Sequence, residues 1–296
     1  MRYATVTALI LAGGLSACGG PQPEAPGEPS GQAELAEASE PPVNAAPAGD
    51  TGGAGEAAEV QPERAGQAGD APFELKNIAR DGQAATVSVS YADGISEFDP
   101  RLARRIAETS MQSLESFETE AKAMGAGAGG NSPAHSLGIN WRVTYRGDRV
   151  ISLVRDVSYY TGGAHPNATA STLIWDRERG GELGLADLFG SEEVAYGVLL
   201  EPVRERLTEA RSVRNEMTGA TREELRRDVE DAVSREAGSL SRLGIAAGDA
   251  GNTGLVVIFP PYEVAPYAEG SYAITLPARV FRDDVIAPYR SIFEPR

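Results

Sequence analysis

The stretch from Gly19 to Ala71 decides where this 296-residue chain can fold. Its large apolar residues are Leu35, Val43 and Val60; the remainder is mostly Pro, Gly, Ala, Glu, Ser and Gln. A segment of this kind cannot bury enough apolar surface to offset the entropy lost on ordering. Its ten carboxylates against Arg64 leave it at −9. As a coil it would reach about 40 Å, and charge repulsion and proline extend it further. It reads as a solvated tether. The fold is therefore confined to residues 72–296, enough for one sizeable core, and the sequence allows two intertwined halves, about 72–160 and 161–296.

The tether predicts something to be tethered to. Arg2 supplies a positive n-region, Ala4 to Ala12 a short apolar segment, and Leu15-Ser16-Ala17-Cys18 a small-residue cleavage site. Nine helical residues span roughly 14 Å, well short of the ~30 Å hydrocarbon core. Residues 1–17 thus read as a signal peptide, and the tetrapeptide resembles the lipobox of bacterial lipoproteins. Cys18 is the sole cysteine of the chain, and the resemblance assigns it the lipid. Two acyl chains on one residue meet the two-signal requirement for stable anchoring. Gly19 in place of Asp favours the outer membrane over the inner one, by resemblance to lipoproteins of diderm bacteria, with the domain on the periplasmic side. An acylated Cys18 leaves no thiol for disulfides or catalysis.

Within the domain, Thr86 to Tyr91 alternates as a half-buried strand. Asp99-Pro100 opens a helix as N-cap and first position, with Leu102, Ile106, Ser110, Leu114, Phe117 and Ala121 at helical spacing. A hairpin follows, with Ile139 to Tyr145 and Ile151 to Tyr159 joined at Arg146–Arg149. Thr169 to Trp175 reads as another strand, and Leu183 to Phe189 as a helical turn. Ser191 caps a helix in which Pro202 predicts a kink or early break. Thr221-Arg222-Glu223-Glu224 is a capping box. Leu255 to Phe259 is apolar enough for a central strand, and Ser271 to Leu276 alternates again. This order predicts an α+β fold, a largely antiparallel sheet with helices packed on one side.

The net charge of −16 argues against nucleic-acid binding, which needs a basic face to release counterions, and favours cationic partners. No HExxH helix, Cys-x-x-Cys pair, Walker loop or G-x-S-x-G elbow occurs, so neither a metal nor a cofactor is expected. Of the two histidines, His135 lies in a Ser/Pro/Gly loop and reads as solvated. His165 follows a strand in Tyr159-Tyr160-Thr161-Gly162-Gly163-Ala164-His165-Pro166-Asn167, where the loop could present it as base or ligand. With no second histidine, hydroxyl or thiol paired with it, His165 reads first as structural; catalysis with Asp156 or Asp176 is the alternative. Tyr262 and Tyr267 sit on a proline-stiffened loop, Pro260 to Gly270, suited to contact at low entropic cost. Packing back onto the core is the equal alternative for both.

Three segments together carry a family resemblance: Ser158 to Asn167, Leu185-Ala186-Asp187-Leu188-Phe189, and Phe259 to Gly270. Their order resembles that of an extracytoplasmic family of uncharacterised domains. This family is shared by the lysozyme-sensing ectodomain of the anti-sigma-V factor and the accessory, non-catalytic region of a peptidoglycan deacetylase. The resemblance covers roughly Phe73 to Phe293. It implies an α+β fold, a cell-envelope setting and, in at least one member, binding of a cationic cell-wall hydrolase. The chain departs from those relatives in having no transmembrane helix, no cytosolic sigma-binding segment and no T-F-D-D-G-P metal motif. Phe281-Arg282-Asp283-Asp284 echoes that motif without an H-x-x-x-H partner.

The expectation from sequence is a lipid-anchored, non-enzymatic binding or sensing module of the periplasm. Its expected partners are a cationic envelope protein such as a lysozyme-type hydrolase, or peptidoglycan. Its candidate binding residues are Tyr159, Tyr160, His165, Asn167, Tyr262 and Tyr267. The rivals are a hydrolase or deacetylase-like enzyme using His165, and a purely structural envelope lipoprotein.

Overall fold

The alternating strands and capped helices read from the sequence assemble into two stacked sheets in the computed structural model, which describes residues 71–127, 134–214, 219–247 and 252–294. All lie within the unit Pro62–Arg296. The signal segment 1–17, Cys18 and the tether to residue 70 lie outside the described residues.

The larger sheet has six strands in sequence order: β1 (Ile78–Asp81), β2 (Ala85–Tyr91), β3 (His135–Arg146), β4 (Val150–Tyr160), β5 (Asn167–Asp176) and β6 (Gly181–Glu182). Only β2 and β3 run parallel; the other pairings are antiparallel. A parallel pair needs a crossover, and between β2 and β3 the chain forms α1 (Ile95–Phe98) and the long α2 (Pro100–Ala123). Asp99 caps α2 as expected, its carboxylate accepting from the Arg101 amide at 2.9 Å. Leu102, Ile106 and Leu114 then bury against Val87, Val89, Ile139, Trp141 and Leu153. Ser110 is fully buried in this apolar stripe yet satisfied, donating to Ile106 O and accepting from Trp141 Nε1.

The second sheet holds β7 (Leu243–Ala247), β8 (Thr253–Phe259) and β9 (Tyr272–Pro277), with β8 central and buried along its whole length. Leu255, Val257 and Phe259 face α4 (Glu192–Arg214), which follows the short α3 (Leu185–Phe189), and α5 (Arg222–Ala232), while Val256 and Ile258 face Val154 of the first sheet. The layers thus run α2, six-stranded sheet, three-stranded sheet, α4 and α5, so each sheet has helices on its outer side only. Ser191 and Thr221 cap their helices as the sequence predicts. Pro202 does not break α4. Ala195, Tyr196, Leu199, Val203 and Leu207 are buried along its length, and that burial offsets the lost amide bond.

An edge strand with open backbone groups invites unwanted pairing. The outer edge of β7 is instead closed by hydroxyls from the face of the large sheet. Thr144 donates to Ile245 O at 2.7 Å, Thr172 donates to Leu243 O at 2.9 Å, and Ser152 accepts from Ile245 N at 2.9 Å. Gly244 fits closely there, because a Cβ would meet Ser152 Oγ at 3.1 Å and push it aside by a few tenths of an ångström. Ser152→Ala leaves the buried Ile245 amide without its acceptor, and we expect a loss of about 1–3 kcal/mol in urea denaturation.

Candidate functional site

The glycines after β4 bring the His165 loop over to the second sheet. Gly162 and Gly163 take φ of 101° and 100°, conformations open to glycine at little cost. The Tyr160 hydroxyl donates to Gly163 O, closing the turn. His165 then lies parallel to Tyr267, ring centroids 4.0 Å apart at 17°. Tyr262 completes the cluster, 5.3 Å from Tyr267 and 6.4 Å from His165. Two motifs almost a hundred residues apart in sequence converge on one aromatic surface.

Hydrogen bonds fix its orientation. Tyr267 donates to Pro166 O at 3.0 Å. His165 Nδ1 also stands 3.0 Å from Pro166 O, and a carbonyl only accepts, so that nitrogen carries the proton. In the neutral ring Nε2 then accepts from the Tyr262 hydroxyl at 3.3 Å. The loop carrying the tyrosines is clamped below. Buried Arg211 grips the Glu269 carboxylate at 3.0 and 2.9 Å, and Tyr272 donates to the same carboxylate at 2.5 Å. Burial, together with Glu269, pushes the Tyr272 hydroxyl up to about 12.

Tyr262 is the unusual member. It is 61% exposed and has a φ of 71°, the one left-handed non-glycine among the described residues. That conformation costs a bulky side chain roughly 1–2 kcal/mol. Such outliers gather at functional sites.

Beside the cluster a groove of about 570 Å³ opens between the sheets. Its floor is the polar face of the large sheet, including Ser88, Ser90, Asn140 and Ser158, and Ile258 and Pro260 form part of its wall. Arg142 and Asp156 cross the floor as a two-point pair at 2.5 and 3.2 Å. Ala168 and Pro260 line it, three residues after His165 and two before Tyr262.

The other candidates divide. Tyr159 and Asn167 oppose one another in the β4–β5 register, and Tyr159 packs toward the α2 core, away from the cluster. Tyr160 shares the groove-side face with Ser158. His135 is not solvated: it opens β3, is buried, and stands 6.2 Å from Phe117. Neither proposed carboxylate reaches His165. Asp156 is occupied by Arg142. Asp176 is fully buried and holds Arg149, the Tyr289 hydroxyl and the amides of Glu178 and Arg179. His165 has no carboxylate within ion-pair distance among the described residues, and no group of three or more metal-ligating side chains occurs among them.

Asp176 and Asp99 share a signature with a pH consequence. Burial pushes each carboxyl up, but hydrogen bonds outweigh it, from Arg149 and two amides at Asp176 and from Arg101 and Trp175 at Asp99. Both end below the ordinary 3.8. A depressed folded pKa gives stability above the unfolded value and loses it as pH falls through the folded one. Thermal melts should therefore be level from neutrality to about pH 5 and fall steeply below about pH 4.

Neither the groove nor its clamp is among the features named from the sequence. The groove had a signal, the serines on the outward half of β2's alternation. The Arg211–Glu269 clamp had none, since its partners lie 58 residues apart.

Fold and site together define an α+β domain presenting an exposed aromatic cluster beside a polar groove. Residues 80–168 match the family model described as "Deacetylase PdaC", and residues 187–279 match the one described as "Protein of unknown function (DUF3298)". The resemblance drawn from the sequence is thereby shown. Among solved structures the chain is similar to a DUF3298 family protein from Pseudomonas aeruginosa PAO1, at 16% identity and a TM-score of 0.48. That likeness covers 77% of this chain and 99% of that one. It is also similar to a DUF3298 family member from Bacteroides fragilis NCTC 9343, at 15% identity and a TM-score of 0.46, covering 73% and 94%. No curated protein matches the chain. No helix among the described residues is long and apolar enough to cross a membrane.

Proposed function

We propose that this chain is a non-enzymatic binding or sensing module of the cell envelope. In this reading it is anchored through acylated Cys18 to the periplasmic side of the outer membrane, and its tether lets the domain reach partners. The observation that carries the reading is Tyr262, an aromatic side chain kept exposed on a strained backbone and backed by the His165–Tyr267 stack. A side chain there for stability would be buried and unstrained. Rigid aromatics with a polar neighbour are what recognition surfaces use. The acidic balance favours a cationic envelope protein of the lysozyme type, and the polar groove suits peptidoglycan. The enzyme alternative gains no support, because His165 is oriented by a carbonyl and a phenol and has no carboxylate to drive it as a base.

The test is capture on the immobilised full chain of lysozyme and, separately, of purified peptidoglycan, at low and high salt. Lysozyme retained at low salt and released at high salt identifies a protein partner. Retention of peptidoglycan at both identifies a glycan. Failure to retain either removes the proposal.

A further inference from the structure

At the end of the small sheet farthest from the aromatic loop, a cavity of about 460 Å³ lies between α4 and the β8–β9 pair. Among the described residues Arg206, Arg279, Asn252, Thr253 and Thr275 line it, with no carboxylate among them. Four other cavities of the domain are lined in part by acidic side chains. Arg142 meets Asp156 in the large groove, Glu182 and Glu192 line a cavity beside β5, and Arg204 and Arg226 pair with Glu201 and Glu230 along α4 and α5.

The arginines themselves are distinctive. Among the described residues, Arg206, Arg222 and Arg279 make no hydrogen bond, ion pair or ring contact, whereas the remaining arginines are held by carboxylates, carbonyls, hydroxyls or rings. Two of these three face the same cavity. Arg206 is half-buried, and Glu209 stands one turn along α4, yet the two do not pair. In a chain of net charge −16, two arginines, half-buried Arg206 and exposed Arg279, that line one cavity without a counter-ion raise its positive potential and forgo available partners. An oxyanion between them would remove both costs.

We propose that this cavity is a binding site for a single oxyanion, a phosphate or carboxylate group. The two guanidinium forks would grip its oxygens, and the Thr275 hydroxyl and Asn252 amide would supply further donors. Planar forks match both anions, and charge-assisted bonds of this type are about twice as strong as neutral ones. The acidic chain repels anions at long range, but at physiological salt that field is screened beyond about 8 Å while contact pairs persist.

The experiment is isothermal titration of the purified full chain with inorganic phosphate and, separately, acetate, against chloride at matched ionic strength. Saturable millimolar binding is expected, weakened roughly tenfold or more by Arg206→Gln or Arg279→Gln and unchanged by Arg222→Gln. The anion bound more tightly identifies the source as phosphate-bearing or carboxylate-bearing. Thr275→Val tests the site without altering charge and should weaken binding severalfold. No heat beyond chloride, or binding that survives both cavity variants, overturns the proposal.

Discussion

Asp176→Ala, at the end of β5 away from the aromatic cluster, should be a strongly damaging single change, lowering stability by about 3 kcal/mol in chemical denaturation. The carboxylate has no solvent exposure and holds four partners at once: Arg149, Tyr289 and two turn amides. Its removal strands the buried Tyr289 hydroxyl and takes the acceptor from two turn amides. Arg149 is 37% exposed and can turn to solvent, which keeps the cost near the lower end for a broken buried pair. Asp176→Asn retains an acceptor for the amides and should cost roughly half as much. A catalytic carboxylate would behave in the opposite way, since its amide variant keeps the fold and loses only turnover. The pair of variants therefore separates a structural Asp176 from a catalytic one.

Tyr262→Gly should leave stability unchanged or raise it by up to about 1 kcal/mol, because glycine accepts φ of 71° without strain. The same change should weaken ligand binding by about 2 kcal/mol, roughly 30-fold, the scale of an interface hot spot. Tyr262→Ala isolates the two effects. Alanine keeps the backbone strain and loses the ring contacts, so it should be less stable than the glycine variant and bind equally poorly. Thermal melts and capture on the same three proteins give the comparison. Stability falling in step with binding in the glycine variant would make Tyr262 a packing residue.

What the sequence made legible follows from the range of the forces involved. Capping, turn chemistry and alternation act within a few residues. The Asp99-Pro100 start, the Thr221 box, the β3–β4 hairpin and central β8 were therefore readable. β7 was not: Leu-Gly-Ile-Ala-Ala has little strand propensity, and it is held by Thr144, Ser152 and Thr172 from distant strands. The same nonlocality hid the second sheet and the burial of His135. At the site, His165, Tyr262 and Tyr267 were named for their loop chemistry, but nothing local announces that they stack together. Tyr159 and Asn167 share the motif with His165, yet strand alternation sends Tyr159 to the other face.

The most direct test of the aromatic cluster as the binding surface uses the two histidines as reporters of one another. Proton NMR of the imidazole signals is recorded while the full chain is titrated with lysozyme, then with solubilised peptidoglycan. His165, stacked on Tyr267 and bonded to Tyr262, should shift or broaden with one of them. His135, buried against Phe117 on the α2 side, should stay fixed. A ligand that binds while His165 remains unmoved, or that moves both signals alike, contradicts the account.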